Sequence, residues 1–235
     1  MDLDFSVVAT YLPHLLRAAV LTIVITLASQ FFGTVFGLGL AMARTSSRKW
    51  LSTAVAGYVW IVRGTPMLLH LFFIYYAAPI IGVTLDALPA AILAMSLSSA
   101  AYNSEIFRAG IQAVHHGQIE AARAIGLTYA QTMRRIVLPQ ALRIIVPPYM
   151  SNFISHTKNS SLASVITVPE LMFTAQSISS STYRVLEILS AAGVIYLCLT
   201  SALTWLQRYL ERTTAYEERG LSDRRRQALG LTTEG

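Results

Sequence analysis

Eight polar residues stand in stretches that are otherwise apolar enough to lie in a bilayer: His70, Tyr102, Asn103, Glu105, Lys158, Asn159, Ser160 and Ser161. A polar side chain at that depth must face protein or water, so each is a candidate for lining a solute pathway. Lys158 and Asn159 have the chemistry to meet a carboxylate or a helix end. The competing partners for Lys158 are Glu105 and carbonyls freed where a helix breaks. Arg63, followed by Gly64 and Pro66, reads as an arginine snorkelling beside a helix start. His115, His116 and Glu120 make a weak metal set: only His116 and Glu120 share an i,i+4 spacing and Gly117 interrupts them, so no metal site is expected. The sequence has no Walker A glycine loop, no nucleophile elbow and no zinc-protease histidine pair. No catalytic residue is expected, and any ATP chemistry must come from another chain. The single cysteine, Cys198, excludes an internal disulfide.

The elements that hold these residues follow from composition. The chain has 235 residues, 54% hydrophobic and only 13% charged. Soluble domains carry about 25% charged residues, so this is an all-α integral membrane protein in the making. Charge-free runs of about 26, 22, 18 and 20 residues separate Arg17 from Arg44, Arg63 from Asp86, Asp86 from Glu105 and Glu187 from Arg208, close to the roughly 20 residues a spanning helix needs. Ile144 to Val168 is a fifth, interrupted by Lys158 at a cost of about 3 kcal/mol on insertion scales. The expected spans are therefore 17–43, 54–80, 87–108, 142–168 and 186–210. With the N-terminus outside and the C-terminus inside, 15 of the 18 basic residues fall on the cytoplasmic side, all but Arg17, Lys158 and Arg184. Asp2, Asp4, Asp86, Glu170 and Glu187 then lie outside. The basic excess of the chain, +6 overall, orients the protein and faces anionic lipid; no basic stripe with interleaved aromatics points to nucleic acid. The acidic start, Met1 to Asp4, is unlike a cleavable signal, so the first span is expected to be retained.

The longest cytoplasmic loop, 109–140, should hold two short helices. Glu120 to Ala124 are helix formers, and Gly126 can end the helix in the left-handed conformation. Thr128 and Gln131 fit a capping box for the second, which Pro139 should stop. A short helix with alanines at 121, 122 and 124 is not stable alone and should dock on something. Small residues Gly33, Gly37, Gly39 and Ala43 suit close helix packing, either within the chain or between copies. After the last span, 213–235 reads as a cytoplasmic tail of alternating charge, helical as far as Gly220 and partly disordered beyond.

Glu120-Ala121-Ala122, then Gly126, Ile136 and Leu138-Pro139 form the complete EAA motif of ATP-binding-cassette importer permeases. Almost the whole chain resembles the polar amino acid permeases of the histidine, glutamine, arginine and opine type. The resemblance is carried by Arg63-Gly64-Thr65-Pro66, Leu71 to Tyr76, Ala101 to Arg108, Gly117-Gln118, Pro147-Pro148, Asn152 to Ser155, Lys158 to Leu162, Ser164 to Ile166, and Tyr183-Arg184. The departures are His70 where the family often has Gln, Asn159 where it often has Asp, and Ala109 where it often has Gly; the first two bear on which substrate is carried.

The resemblance implies the type I importer permease fold in a bacterial cytoplasmic (inner) membrane, crossed several times. It implies a single permease domain, 1–212, paired with a second permease, identical or a paralogue. It implies an ABC ATPase dimer that binds ATP and Mg, docked through Glu120, Ala121, Ala122, Arg123 and Gly126 within 117–127, and an extracytoplasmic substrate-binding protein. The alternative is an ion-coupled secondary transporter, for which Glu105 is the one carboxylate near a span interior and no inverted repeat is visible.

Overall fold

The structure, a computed structural model, describes residues 4–228, with side chains as far as residue 213. Every regular element among the described residues is helical. The centre is a seam between α1 (Ser6–Arg44) and α4 (Ala87–Gln112). The buried positions of α1, from Leu15 through Thr22, Ser29, Gly33 and Gly37 to Ala41, recur at three- and four-residue intervals and make one stripe. Ile25 packs among Ala90, Ala91, Ala94 and Met95, whereas Ala41 packs beside Phe107. The two helices therefore run in the same direction.

Glycine sets their distance. A Cβ on Gly33 would fall 2.5 Å from Ser99 Cβ, and one on Gly37 would fall 2.9 Å from Asn103 Cβ. The small-residue pattern thus serves packing within the chain at Gly33 and Gly37, while Gly39 faces open space. The hydroxyls on this stripe are satisfied along their own helix: Thr26 donates to Thr22 O at 2.7 Å and Ser29 to Ile25 O at 2.6 Å.

The stretch expected as one span, 54–80, is broken. It comprises α2 (Lys49–Gly64) and α3 (Met67–Phe72), continued by a π turn and a 3-10 turn to Ile81. The two arms are bent by 109°. The cause is local: the residue before a proline is pushed out of the helical region, and Thr65, before Pro66, is extended at φ −119°, ψ 149°.

The cytoplasmic loop forms α5 (His116–Ala124) and α6 (Tyr129–Thr132). Pro139 does not stop the chain's helix as expected. A π turn at Met133–Val137, closed by Leu138 N to Met133 O, passes directly into α7 (Leu138–Asn159), and its wider hydrogen bonding carries the chain past Pro139, which has no N–H to donate. α7 runs antiparallel to α4, with Asn152 beside Asn103 and Ile145 against Gly110. It becomes a 3-10 turn at Ser160–Ile166, so 142–168 is not one α-helix either.

A helix not anticipated, α8 (Leu171–Thr182), then packs with α1 and α9 (Val185–Ala228) around Leu15, Leu171, Ala175, Ile188 and Ala192. Glu170 and Glu187 are buried, at 0% and 4% exposure. Glu170 caps α8 through Phe173 N at 2.8 Å and accepts from Tyr196 Oη at 2.8 Å. The helix of α9 also passes through Gly220, where a stop was expected; the rest of the tail, 229–235, lies outside the described residues.

By length and composition two helices can cross a membrane, Ser6–Arg44 and Val185–Thr213, and a third if the bent pair counts as one crossing. Phe31, Phe36, Trp60, Leu197 and Trp205 are exposed on these elements, as suits side chains that meet lipid.

Candidate functional site

Two stripes of polar residues meet across a cleft of about 490 Å³. One is on α4: Ser98, Ser99 and Tyr102. The other is on α7: Asn152, Ser155, His156 and Asn159. Each set recurs at helical spacing and so shares a face. The bend between α2 and α3 brings Thr65 and Pro66 to the same cleft. Tyr102 also borders two further hollows, of about 430 Å³ and 350 Å³, that share Arg63 and Glu105. Tyr102 therefore stands between a neutral polar chamber and a charged one. The Arg63 guanidinium lies over its ring, 5.3 Å from the centroid, a cation–π geometry.

The candidates divide sharply. Tyr102 and Asn159 reach the cleft. Glu105 lies in the charged hollow, bridged to Arg108 and, at 3.7 Å, to Arg44. Its partners are thus arginines and not Lys158, which is exposed. Asn103 is sealed in the seam at 0% exposure, donating to Ser99 Oγ at 3.1 Å and accepting from Asn152 at 3.0 Å. Ser160 and Ser161 turn back onto Thr157 O and Lys158 O, each at 2.7 Å, and serve the helix end. His70 pairs with Thr65 Oγ1 at 2.7 Å. Thr65, Asn152, Ser155 and His156 were missed as candidates, although the spacing 152, 155, 156, 159 is a polar stripe readable from sequence.

At the other end of the bundle, α5 is closed as the turn chemistry requires. Gly126 has φ +80°. Leu127 N donates to Ala122 O at 3.0 Å and Gly126 N to Arg123 O at 2.9 Å, the paired bonds of a Schellman stop. The Thr128 and Gln131 capping box is present in both directions, at 3.3 Å and 2.9 Å. The His115 ring accepts from Gly117 N at 3.1 Å and caps α5, and His116 lies 3.6 Å from Glu120. Among the described residues no cluster of three or more metal-ligating side chains forms. Ala122 is buried at 1%, while Glu120, Ala121, Arg123 and Gly126 face outward. Ile125 and Tyr129 are each 75% exposed beside them.

Outside the membrane-spanning elements, Asp4 is held below the usual carboxylate range, first by hydrogen bonding from Ser6. Its own N–H donates to Glu187 Oε1 at 3.2 Å, tying the starts of α1 and α9 together.

Residues 33–216 match the family described as binding-protein-dependent transport system inner membrane component. The arginine transport system permease protein ArtQ of Bacillus subtilis is 37% identical over 213 residues, covering 90% of this chain and 97% of that one. The L-cystine transport system permease protein TcyB of the same organism is 43% identical over 192 residues, covering 81% and 82%. A solved structure described as an amino acid ABC transporter with histidines superposes with a TM-score of 0.86 at 36% identity, covering 91% of this chain and all of that one. The chain belongs to the binding-protein-dependent transport system inner membrane component family and is a permease subunit of an ABC importer.

Proposed function

We propose that this permease carries a polar amino acid through the cleft lined by Tyr102, Asn152 and Asn159, as one half of a permease pair in a bacterial inner membrane. Five spans with the N-terminus outside place the Arg44 cluster and α5 together on the cytoplasmic side. ATP and Mg bind a partner ATPase dimer, and a substrate-binding protein delivers the solute from outside. Glu120, Ala121, Ala122, Arg123 and Gly126 form the surface on which the ATPase pushes, and the spans answer by rigid-body movement. This chain itself binds neither ATP nor nucleic acid.

One observation carries the coupling role. α5 is anchored by Ala122 and closed at Gly126, yet leaves Ile125 and Tyr129 each 75% exposed on a water-facing loop. Exposed apolar side chains on a rigid turn mark a docking surface. The substrate class rests on the relatives named for arginine and cystine.

The test is a mild-detergent pull-down of the tagged protein from its native membrane, followed by uptake in proteoliposomes. Recovery of a P-loop ATPase, with ATP-dependent uptake of amino acids, is expected. Uptake that follows an ion gradient without ATP would replace this reading with a secondary transporter.

A further inference from the structure

His156 lies on α7 at 5% exposure and lines the cleft. Its Nε2 is 2.8 Å from Ser29 Oγ on α1. The Ser29 hydroxyl has one proton, and that proton is committed to the helix backbone, at 2.6 Å from Ile25 O. Ser29 Oγ can therefore only accept from the ring, and Nε2 carries the hydrogen. Nδ1 is then a bare acceptor lone pair.

Among the described residues Nδ1 has no hydrogen-bond partner, and it is not one of the polar atoms sealed from solvent. The same construction recurs at the bend. Thr65 donates to Ile61 O at 2.8 Å, so its Oγ1 accepts from His70 Nε2 at 2.7 Å, leaving His70 Nδ1 buried and without a partner. At both places a back-bonded hydroxyl fixes the tautomer of a neutral histidine beside the cleft.

We infer that His156 is a specificity-determining residue: Ser29 locks its ring so that Nδ1 faces the cleft as a fixed acceptor, which selects solutes presenting an N–H donor of the ammonium class. This rests on the cleft being the solute site proposed above. Every amino acid supplies such a donor as its α-ammonium, and basic ones supply a second on the side chain. A fixed acceptor reads these donors and repels carboxylates, so it orients the solute as well as holding it. A hydrogen bond to a charged group contributes about 1.5–3 kcal/mol, roughly tenfold or more in affinity.

The experiment measures binding of radiolabelled L-glutamine and L-arginine to the purified permease–ATPase complex without the binding protein. His156→Gln keeps an amide N–H at the Nε2 position, facing Ser29, and removes the acceptor at Nδ1. His156→Asn keeps an acceptor at the Nδ1 position and gives up Ser29. Assembly of each is checked by ATPase co-purification and thermal melting.

The expected result is at least about tenfold weaker binding in His156→Gln and about threefold or less in His156→Asn. A purely structural role for the Ser29 bond gives the reverse order. Equal weakening for both amino acids assigns the α-ammonium; weakening for L-arginine alone assigns the side chain. Wild-type affinity in His156→Gln, or equal loss in both variants, overturns the inference. So does a wild-type complex that imports but shows no binding in the absence of the binding protein, and that outcome leaves the importer reading standing. Should His156→Gln fail to assemble, 15N-histidine NMR of the wild-type complex decides: an imine-type Nδ1 signal must move when L-glutamine is added, and a static signal refutes the assignment.

Discussion

The α1–α4 seam and the α4–α7 cleft are built from the same kinds of residue, and even share Ser99, yet one is closed and the other open. In the seam, Gly33 and Gly37 bring two backbones so close that Ser29, Ser99 and Asn103 find partners within one turn or across the contact, and Gln30 Nε2 is the buried atom left without one among the described residues there. In the cleft, Thr65 and Pro66 at the bend form one wall, and Tyr102 and Asn159 look into space, while Asn152 turns its amide to Asn103. Tyr102 and Asn103 are sequence neighbours with opposite fates. A polar residue in a span is therefore not by its type a pathway residue. What decides is whether the neighbouring backbone comes near enough to satisfy it.

The strongest way to break this contrast is to fill the seam. Gly33→Val would put a side chain where even a Cβ meets Ser99 at 2.5 Å. Overpacking of this kind costs about 1–3 kcal/mol. We expect the melting temperature in detergent to fall by about 5–10 °C. Gly39→Val, with nothing within 4 Å, should melt within about 2 °C of wild type. Equal losses at both positions would mean that the seam is not what the glycines serve.

A second pair separates satisfied from open polar groups. Asn103→Ala removes a fully buried amide bonded to Ser99 and Asn152 and breaks the one polar link between the seam and α7 that these three residues make. It should destabilise by about 1–3 kcal/mol. Asn159→Ala, on the cleft, should leave melting unchanged and lower uptake several-fold. If Asn159→Ala instead lowers melting and Asn103→Ala spares it, the division drawn between seam and cleft is inverted.

These pairs also show how far the sequence could be read. Turn chemistry was legible residue by residue, because Gly126, Thr128 and Gln131 act through their own backbone and need no distant partner. A single helix, α4, covers the run 87–108, which charge bounds at both ends. Three features were not legible. Gly64, Thr65 and Pro66 signalled a break, but charge spacing alone drew 54–80 as one helix. α8 was hidden because Leu171–Thr182 is rich in serine and the charge-free run between Glu170 and Arg184 is too short to be drawn as a span. The burial of Glu170 depends on Thr22 and Tyr196, 148 and 26 residues away, which no local pattern encodes.

The α5 turn is the other surface left open, and it can be perturbed without touching the seam. Gly126→Asp places a side chain at φ +80° and a charge beside Ile125. The strain is about 1–2 kcal/mol for a non-glycine residue. We expect normal membrane insertion and unchanged melting of the spans, with ATPase retention lowered about tenfold. Normal co-purification of the ATPase would refute the docking assignment.

The smallest effect belongs to the far end of the seam, where Asp4 ties the start of α1 to α9. Its carboxylate accepts from Ser6 N at 2.9 Å and its pKa is lowered by the bonds to Ser6. A carboxylate with a depressed folded pKa stabilises above its unfolded value, about 4, and loses that contribution as pH falls through the folded pKa. Melting should therefore be flat with respect to Asp4 between pH 7 and 5, on the order of two units above that window, and its contribution should fade only below about pH 4. Asp4→Asn should remove this acid limb and lower melting at neutral pH by the same small amount that the wild type loses on acidification. A neutral-pH loss in Asp4→Asn comparable to that of Asn103→Ala would mean that the bundle is held as firmly at its exposed end as in its glycine-lined middle, and the contrast between sealed and open regions would have to be redrawn around the helix ends.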